Sequence, residues 1–86
     1  MRKGVMGMED LQIISLLFQR SETAIPMLQQ KFGGLCRIVI SNILPDRRDV
    51  EECASDTYLR VWNSIPPQRP TRLHSYLARI ARNVAL

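Results

Sequence analysis

Asp49-Val50-Glu51-Glu52-Cys53-Ala54-Ser55-Asp56-Thr57-Tyr58-Leu59-Arg60-Val61-Trp62 is the most regular stretch of this 86-residue chain. Val50, Cys53, Ala54, Thr57, Tyr58, Val61, Trp62 and then Ile65 recur at i, i+3, i+4 and i+7. That spacing puts them on one side of an α-helix and predicts a buried stripe that includes Trp62. Glu51, Glu52, Ser55, Asp56, Leu59, Arg60 and Asn63 fall on the other side. This outward face is acidic, with one large apolar side chain, Leu59, in its middle, and such a leucine is a common mark of a protein contact. Asp46 or Asp49 can cap the start of the helix, and Pro66-Pro67 stops it.

Past the stop, the chain reads P-P-Q-R-P-T-R-L-H-S-Y-L-A-R-I-A-R-N-V-A-L, a proline-stiffened loop running into an amphipathic helix. The helix begins near Thr71 or Ser75 and buries Leu73, Leu77, Ile80, Ala81 and Val84. Its polar side holds Arg72, His74, Ser75, Arg79, Arg82 and Asn83, with Arg69 in the loop before it. The whole formal charge of +4 sits here: Met1 to Ile65 balances eight basic against eight acidic residues, whereas Pro66 to Leu86 has four arginines and no acid. Arginine suits phosphate because its guanidinium is planar, permanently charged and donates in pairs. Asn83 can show a donor and an acceptor together to a base edge. Tyr76 can stack on a base or pack in the core, with packing the favoured role. An acidic helix followed by a basic one predicts two partners on two faces, one of them nucleic acid. The last helix has no C-terminal glycine, so the parent protein is expected to continue past Leu86.

Upstream, two more helices are expected. The first spans about Glu9 to Arg20, with Leu11, Ile14, Leu17 and Phe18 at helical spacing and Glu9 and Asp10 at its positive end. Ser21-Glu22-Thr23 breaks it. The second spans about Glu22 to Ile43, with Leu28, Phe32, Leu35, Val39 and Ile43 as its stripe and Pro26 in its first turn. Gly33-Gly34 marks a bend or a close crossing, and Leu44-Pro45-Asp46 ends the helix. No alternation of strand type competes, so the fold class is all-α, a compact four-helix domain over residues 9–86. Residues 1–8 are expected to be a disordered or tag-like N-terminus.

The same composition sets limits. Hydrophobic residues form 45% of the chain, enough for one packed core. No apolar run approaches the roughly 18 residues of a membrane span, and no apolar segment follows the basic start before Glu9 and Asp10, so neither membrane insertion nor a signal peptide is expected. A cytoplasmic protein is the expectation. Cys36 and Cys53 lie far apart, and with a single histidine they make no zinc set; both are expected as small buried hydrophobes. The carboxylates of the third helix sit on a convex face without a histidine, serine nucleophile or metal ligand beside them, so no enzyme chemistry, cofactor or metal is expected.

The two C-terminal helices together resemble region 2 of bacterial RNA polymerase sigma factors, in particular the short extracytoplasmic-function (ECF) class. Asp49 to Trp62 stands where that family reads approximately D-A-E-D-L-V-Q-E-x-F-L-x-x-W. Leu73, Tyr76, Leu77, Ile80, Ala81, Arg82 and Asn83 match F-x-x-W-L-x-x-I-A-R-N, and Phe32-Gly33 stands where the family often has Tyr-Gly. Ser55 replaces the family's glutamine, Cys53 its leucine and Glu52 its aspartate.

The resemblance implies a binding function in transcription initiation. The third helix would dock on the clamp coiled coil of the polymerase's largest subunit through Glu52, Ser55, Asp56, Leu59 and Asn63. The loop and fourth helix would recognise and melt the promoter minus-ten element through Arg69, Arg72, His74, Arg79, Arg82 and Asn83. The expected partners are RNA polymerase core, promoter DNA and an anti-sigma factor. Region 4, the second DNA-reading domain of such factors, is absent from these residues. Two rivals remain open at this point: a sigma-like interaction module that binds polymerase or an anti-sigma partner without reading promoters, and a helical regulator of duplex DNA.

Overall fold

A computed structural model describes residues 6–86, in which four helices and no strand are found. Helix α1 is Met8–Phe18, α2 is Ala24–Ser41, α3 is Arg47–Ser64 and α4 is Leu73–Ala85. Helices α2, α3 and α4 pack on one another around a shared core, and α1 lies against α2. Of the stretch expected to be disordered or tag-like, residues 1–5 lie outside the described residues; Met6 packs against the core and Met8 opens α1.

The helix boundaries follow local chemistry. Asp46 caps α3 by accepting the Arg48 N–H at 2.8 Å, so the helix begins at Arg47, two residues before Asp49. Pro26 is the third residue of α2, inside the first turn, where a missing N–H breaks no helical bond. Helix α2 runs unbroken through Gly33-Gly34, and neither position is crowded enough to require glycine. A Cβ on Gly33 would lie 3.5 Å from the Tyr58 hydroxyl of α3, whereas Gly34 faces open space.

The core is built from Ile13, Ile14 and Leu17 of α1, Leu28, Phe32, Cys36 and Ile40 of α2, Val50, Ala54, Tyr58 and Val61 of α3, Ile65, and Leu73, Leu77 and Ala81 of α4. Ile80 and Val84 of α4, expected inside, are only half-buried, and three larger expectations change. Leu11 is 50% exposed, and Ile13 takes its place inside. With Leu11, Ile13, Ile14, Leu16 and Leu17 so closely spaced, α1 is apolar over too wide an arc for spacing alone to choose its inner face. Leu35, Val39 and Ile43 are only half-buried, because α2 turns the neighbouring positions Cys36 and Ile40 into the centre.

Trp62 is the third correction. It is half-buried at the rim of the core, while Val61 and Ile65 on either side are fully buried. Arg20 lies over its ring, 3.8 Å from the centroid. Of the cysteines, Cys36 is buried as expected and Cys53 only half so; neither is in a disulfide.

Candidate functional site

The outward side of α3 is set by the register that buries Val50, Ala54, Thr57 and Val61. Glu52, Ser55, Asp56, Leu59 and Asn63 then fall within an arc of about 100° on the opposite side, since an α-helix turns about 100° per residue. Leu59 is 54% exposed at the middle of that arc. Much of the charge around it is already paired. Asp56 accepts from Arg60 one turn on, at 3.1 Å, and Glu51 at the edge of the arc accepts from Arg37 of α2 at 3.0 Å. What the arc offers a partner is thus an apolar knob beside one paired carboxylate, Asp56, and one in no ion pair among the described residues, Glu52.

Where α3 ends and α4 crosses it, a groove of about 520 Å³ opens between the two helices and the loop. Arg60, Asn63 and Ser64 of α3, Gln68 of the loop, and Tyr76, Arg79, Ile80 and Asn83 of α4 line it. A second groove, of about 350 Å³, continues from it along the loop to Thr71, Arg72 and Ser75, sharing Gln68, Tyr76 and Arg79. No carboxylate lines either groove. Tyr76 has the packing role expected of it: it is half-buried against the core and its hydroxyl shares a 2.7 Å hydrogen bond with Ser64, which ties α4 to the end of α3. Its outer edge is nevertheless a wall of both grooves.

The residues expected to meet DNA are therefore only partly assembled. Arg79 and Asn83 share the first groove with Asn63, and Arg72 and Arg79 share the second. Arg82 is exposed but lines neither. His74 lies on another flank of α4, about 140° around the helix from Arg79 and half a turn from Asn83. There its ring meets Phe32 of α2 edge-on at 6.3 Å. Arg69 extends over the Phe18 ring of α1, 4.3 Å from its centroid, and lines neither groove. Gln68 and Ser64 also line the grooves, and Arg60 joins them from the outward face of α3. Their signal is faint, because each becomes relevant only through the way α4 crosses α3.

The chemistry on offer is recognition. The grooves present amide, hydroxyl and guanidinium groups, which hold phosphates, sugars and base edges. The two groups with the most distinctive ionisation lie elsewhere, in the core. Burial pushes the Cys36 thiol up and the Tyr58 hydroxyl up to about 12, so neither is an anion near neutrality. Among the described residues no three His, Cys, Asp or Glu side chains converge as a metal set.

The family model described as sigma-70 region 2 matches residues 28–86, from the second turn of α2 to the end of α4. No curated protein and no solved structure matches the chain. The whole of α1 and the turn after it lie outside the matched segment.

Proposed function

Because the chain belongs to the sigma-70 region 2 family, whose members serve transcription initiation by binding RNA polymerase and recognising promoters, we propose that it captures the minus-ten strand in the α3–α4 grooves while α3 docks on polymerase core. The observation that carries this is the groove itself: Asn63, Gln68, Tyr76, Arg79 and Asn83 converge there with no carboxylate among them. At about 520 Å³ it is an open surface groove, along which a strand can lie. Melting a promoter extrudes a base at a cost of a few kcal/mol, which a fitted pocket offsets. In this mechanism Arg79 and Arg72 hold the strand's phosphates, Asn63 and Asn83 offer donors and acceptors to the base edge, and the exposed edge of Tyr76 is the surface for stacking. Arg82 is an outer phosphate contact.

The outward arc of α3, centred on Leu59, is the polymerase face in this proposal. Asn63 belongs to both faces, so docking and strand capture meet at one residue. The order of the α3 and α4 motifs supports the extracytoplasmic-function class, for which the clamp coiled coil is the docking partner and an anti-sigma factor a further partner.

A direct test uses holoenzyme and duplexes carrying a short bubble whose unpaired strand is randomised. Selection followed by sequencing is expected to return a preferred base at one position of the bubble, and Asn83→Ala to shift that preference by about 1–3 kcal/mol. Holoenzyme that selects no base, or an Asn83→Ala variant with the unchanged preference, would sink the proposal.

A further inference from the structure

Among the described residues, Arg20 is the single non-glycine residue with a positive φ, 58°. It stands one position beyond the cap of α1, where the Ser21 N–H donates to Leu16 O at 2.9 Å and the Arg20 N–H to Leu17 O at 3.0 Å. This pair of bonds defines a helix end in which glycine is favoured, because an L side chain is disfavoured in the left-handed region. An arginine kept there points to a use for its side chain.

That side chain crosses to a segment 42 and 45 positions on, donating to Trp62 O at 2.9 Å and to Ile65 O at 2.8 Å while its plane covers the Trp62 ring at 3.8 Å. The Trp62 carbonyl needs an outside donor, since the residue four positions on is Pro66, which has no N–H. A second contact ties the same corner: Arg69, midway along the loop, covers Phe18, the last residue of α1. Within the loop itself, buried Ile65 and one backbone bond, Gln68 N–H to Ser64 O at 2.9 Å, anchor only the start. Pro66, Pro67 and Pro70 donate nothing, and Pro67, Gln68, Arg69, Thr71 and Arg72 are exposed. Yet this loop supplies Gln68 to both grooves and Pro70, Thr71 and Arg72 to the second.

We infer that the end of α1, through Arg20 and Phe18, positions the 65–72 loop for strand capture, with Arg20 a positioning residue that touches no DNA. This rests on the promoter-capture reading above and adds to it a part of the chain outside the family match. A loop held in one place presents its groove at full population, and one released binds more weakly in proportion to the fraction still competent.

Three variants test it. Arg20→Gly removes the clasp and gives the position the residue its φ favours, so the end of α1 is kept. Arg20→Lys keeps the charge but cannot stack on Trp62 and serve both carbonyls together. Phe18→Leu keeps apolar packing and removes the ring under Arg69. Trp62 is the chain's one tryptophan, so its emission reports the clasp directly. In Arg20→Gly the emission is expected to move to the red, trypsin to cut after Arg72 about tenfold faster, and holoenzyme to capture bubble DNA about tenfold more weakly, with affinity for polymerase core unchanged. Arg20→Lys should restore part of each, and Phe18→Leu should loosen the loop and weaken capture without moving the Trp62 emission. Unchanged emission or unchanged capture in Arg20→Gly overturns the inference, as does an equal loss of core binding. Arg79→Ala is measured in parallel. Capture weakened by Arg79→Ala but not by Arg20→Gly removes the inference alone; capture untouched by Arg79→Ala removes the promoter reading and the inference with it.

Discussion

Helices α3 and α4 each turn a polar side to solvent, and the two sides hold their charge in different ways. On α3 two of the four acids have partners, Asp56 with Arg60 and Glu51 with Arg37, while Asp49 and Glu52 form no ion pair among the described residues. On α4 and its loop, Arg72, Arg79 and Arg82 pair with no carboxylate of the described residues, and Arg69 stacks on a ring instead. Exposed ion pairs contribute little stability, about 0–1 kcal/mol, so the pairing on α3 matters mainly because it cancels field. A partner of α3 meets shape and the apolar Leu59. A partner of α4 meets an unneutralised cationic surface, which attracts anions over a Debye length and weakens with salt. In the function proposed above, the contrast would give short-range docking to one face and long-range, salt-sensitive capture to the other.

The strongest blow to both faces at once should come from beneath them. Leu77 is fully buried in α4 against the shared core. Leu77→Ala is expected to lower stability by about 2–5 kcal/mol, enough to threaten the folded population of so small a domain. Denaturant unfolding checks this, and a loss below about 1 kcal/mol would show that the α3–α4 packing is not what places the faces.

Next in size is the docking face. Leu59→Ala should weaken binding to polymerase core by about 2 kcal/mol, with little dependence on salt and an unchanged circular dichroism spectrum. Asp56→Asn should weaken it less, since Arg60 already holds that charge. If the aspartate change proves the larger and its effect fades with salt, the two faces do not differ in kind.

On the capture face, Arg79→Ala should flatten the plot of log affinity against log salt by roughly 0.7 for an unpaired strand and 0.9 for duplex. His74→Ala should leave the slope as it was, because His74 sits on the flank that meets Phe32. A slope that changes with His74 and not with Arg79 would move the capture surface to that other flank.

The smallest effect is expected at a group that belongs to neither face. The Tyr58 hydroxyl is pushed up to about 12 by burial, against about 10 in an unfolded chain. Between those values only the unfolded state releases its proton, so this contribution to stability is full below about pH 10 and is lost as pH rises towards about 12. The gap between wild type and Tyr58→Phe should narrow or reverse by on the order of 1 kcal/mol from pH 8 to pH 11. Parallel unfolding curves at the two pH values would show the hydroxyl in contact with water, and neither face should respond to the change.

The sequence by itself was enough for the four helices, the stop of α3 before Pro66-Pro67, most of the buried sides of α3 and α4, and the placing of all net charge after Ile65. Each of these is a local matter: spacing within one helix, a missing N–H, a count of ions. It also named both candidate faces, because Leu59 and the arginines lie on polar arcs that spacing alone defines. Tertiary structure decided what spacing cannot carry. It set Leu11 outside and Ile13 inside, moved Trp62 to the rim, put the His74 ring against Phe32, and brought Gln68 and Asn63 beside Asn83. Above all it joined Arg20 to the carbonyls of Trp62 and Ile65, some forty positions on. Periodicity gives a direction around one helix axis; which neighbour waits in that direction depends on how the helices cross, and that is settled only when the whole core packs.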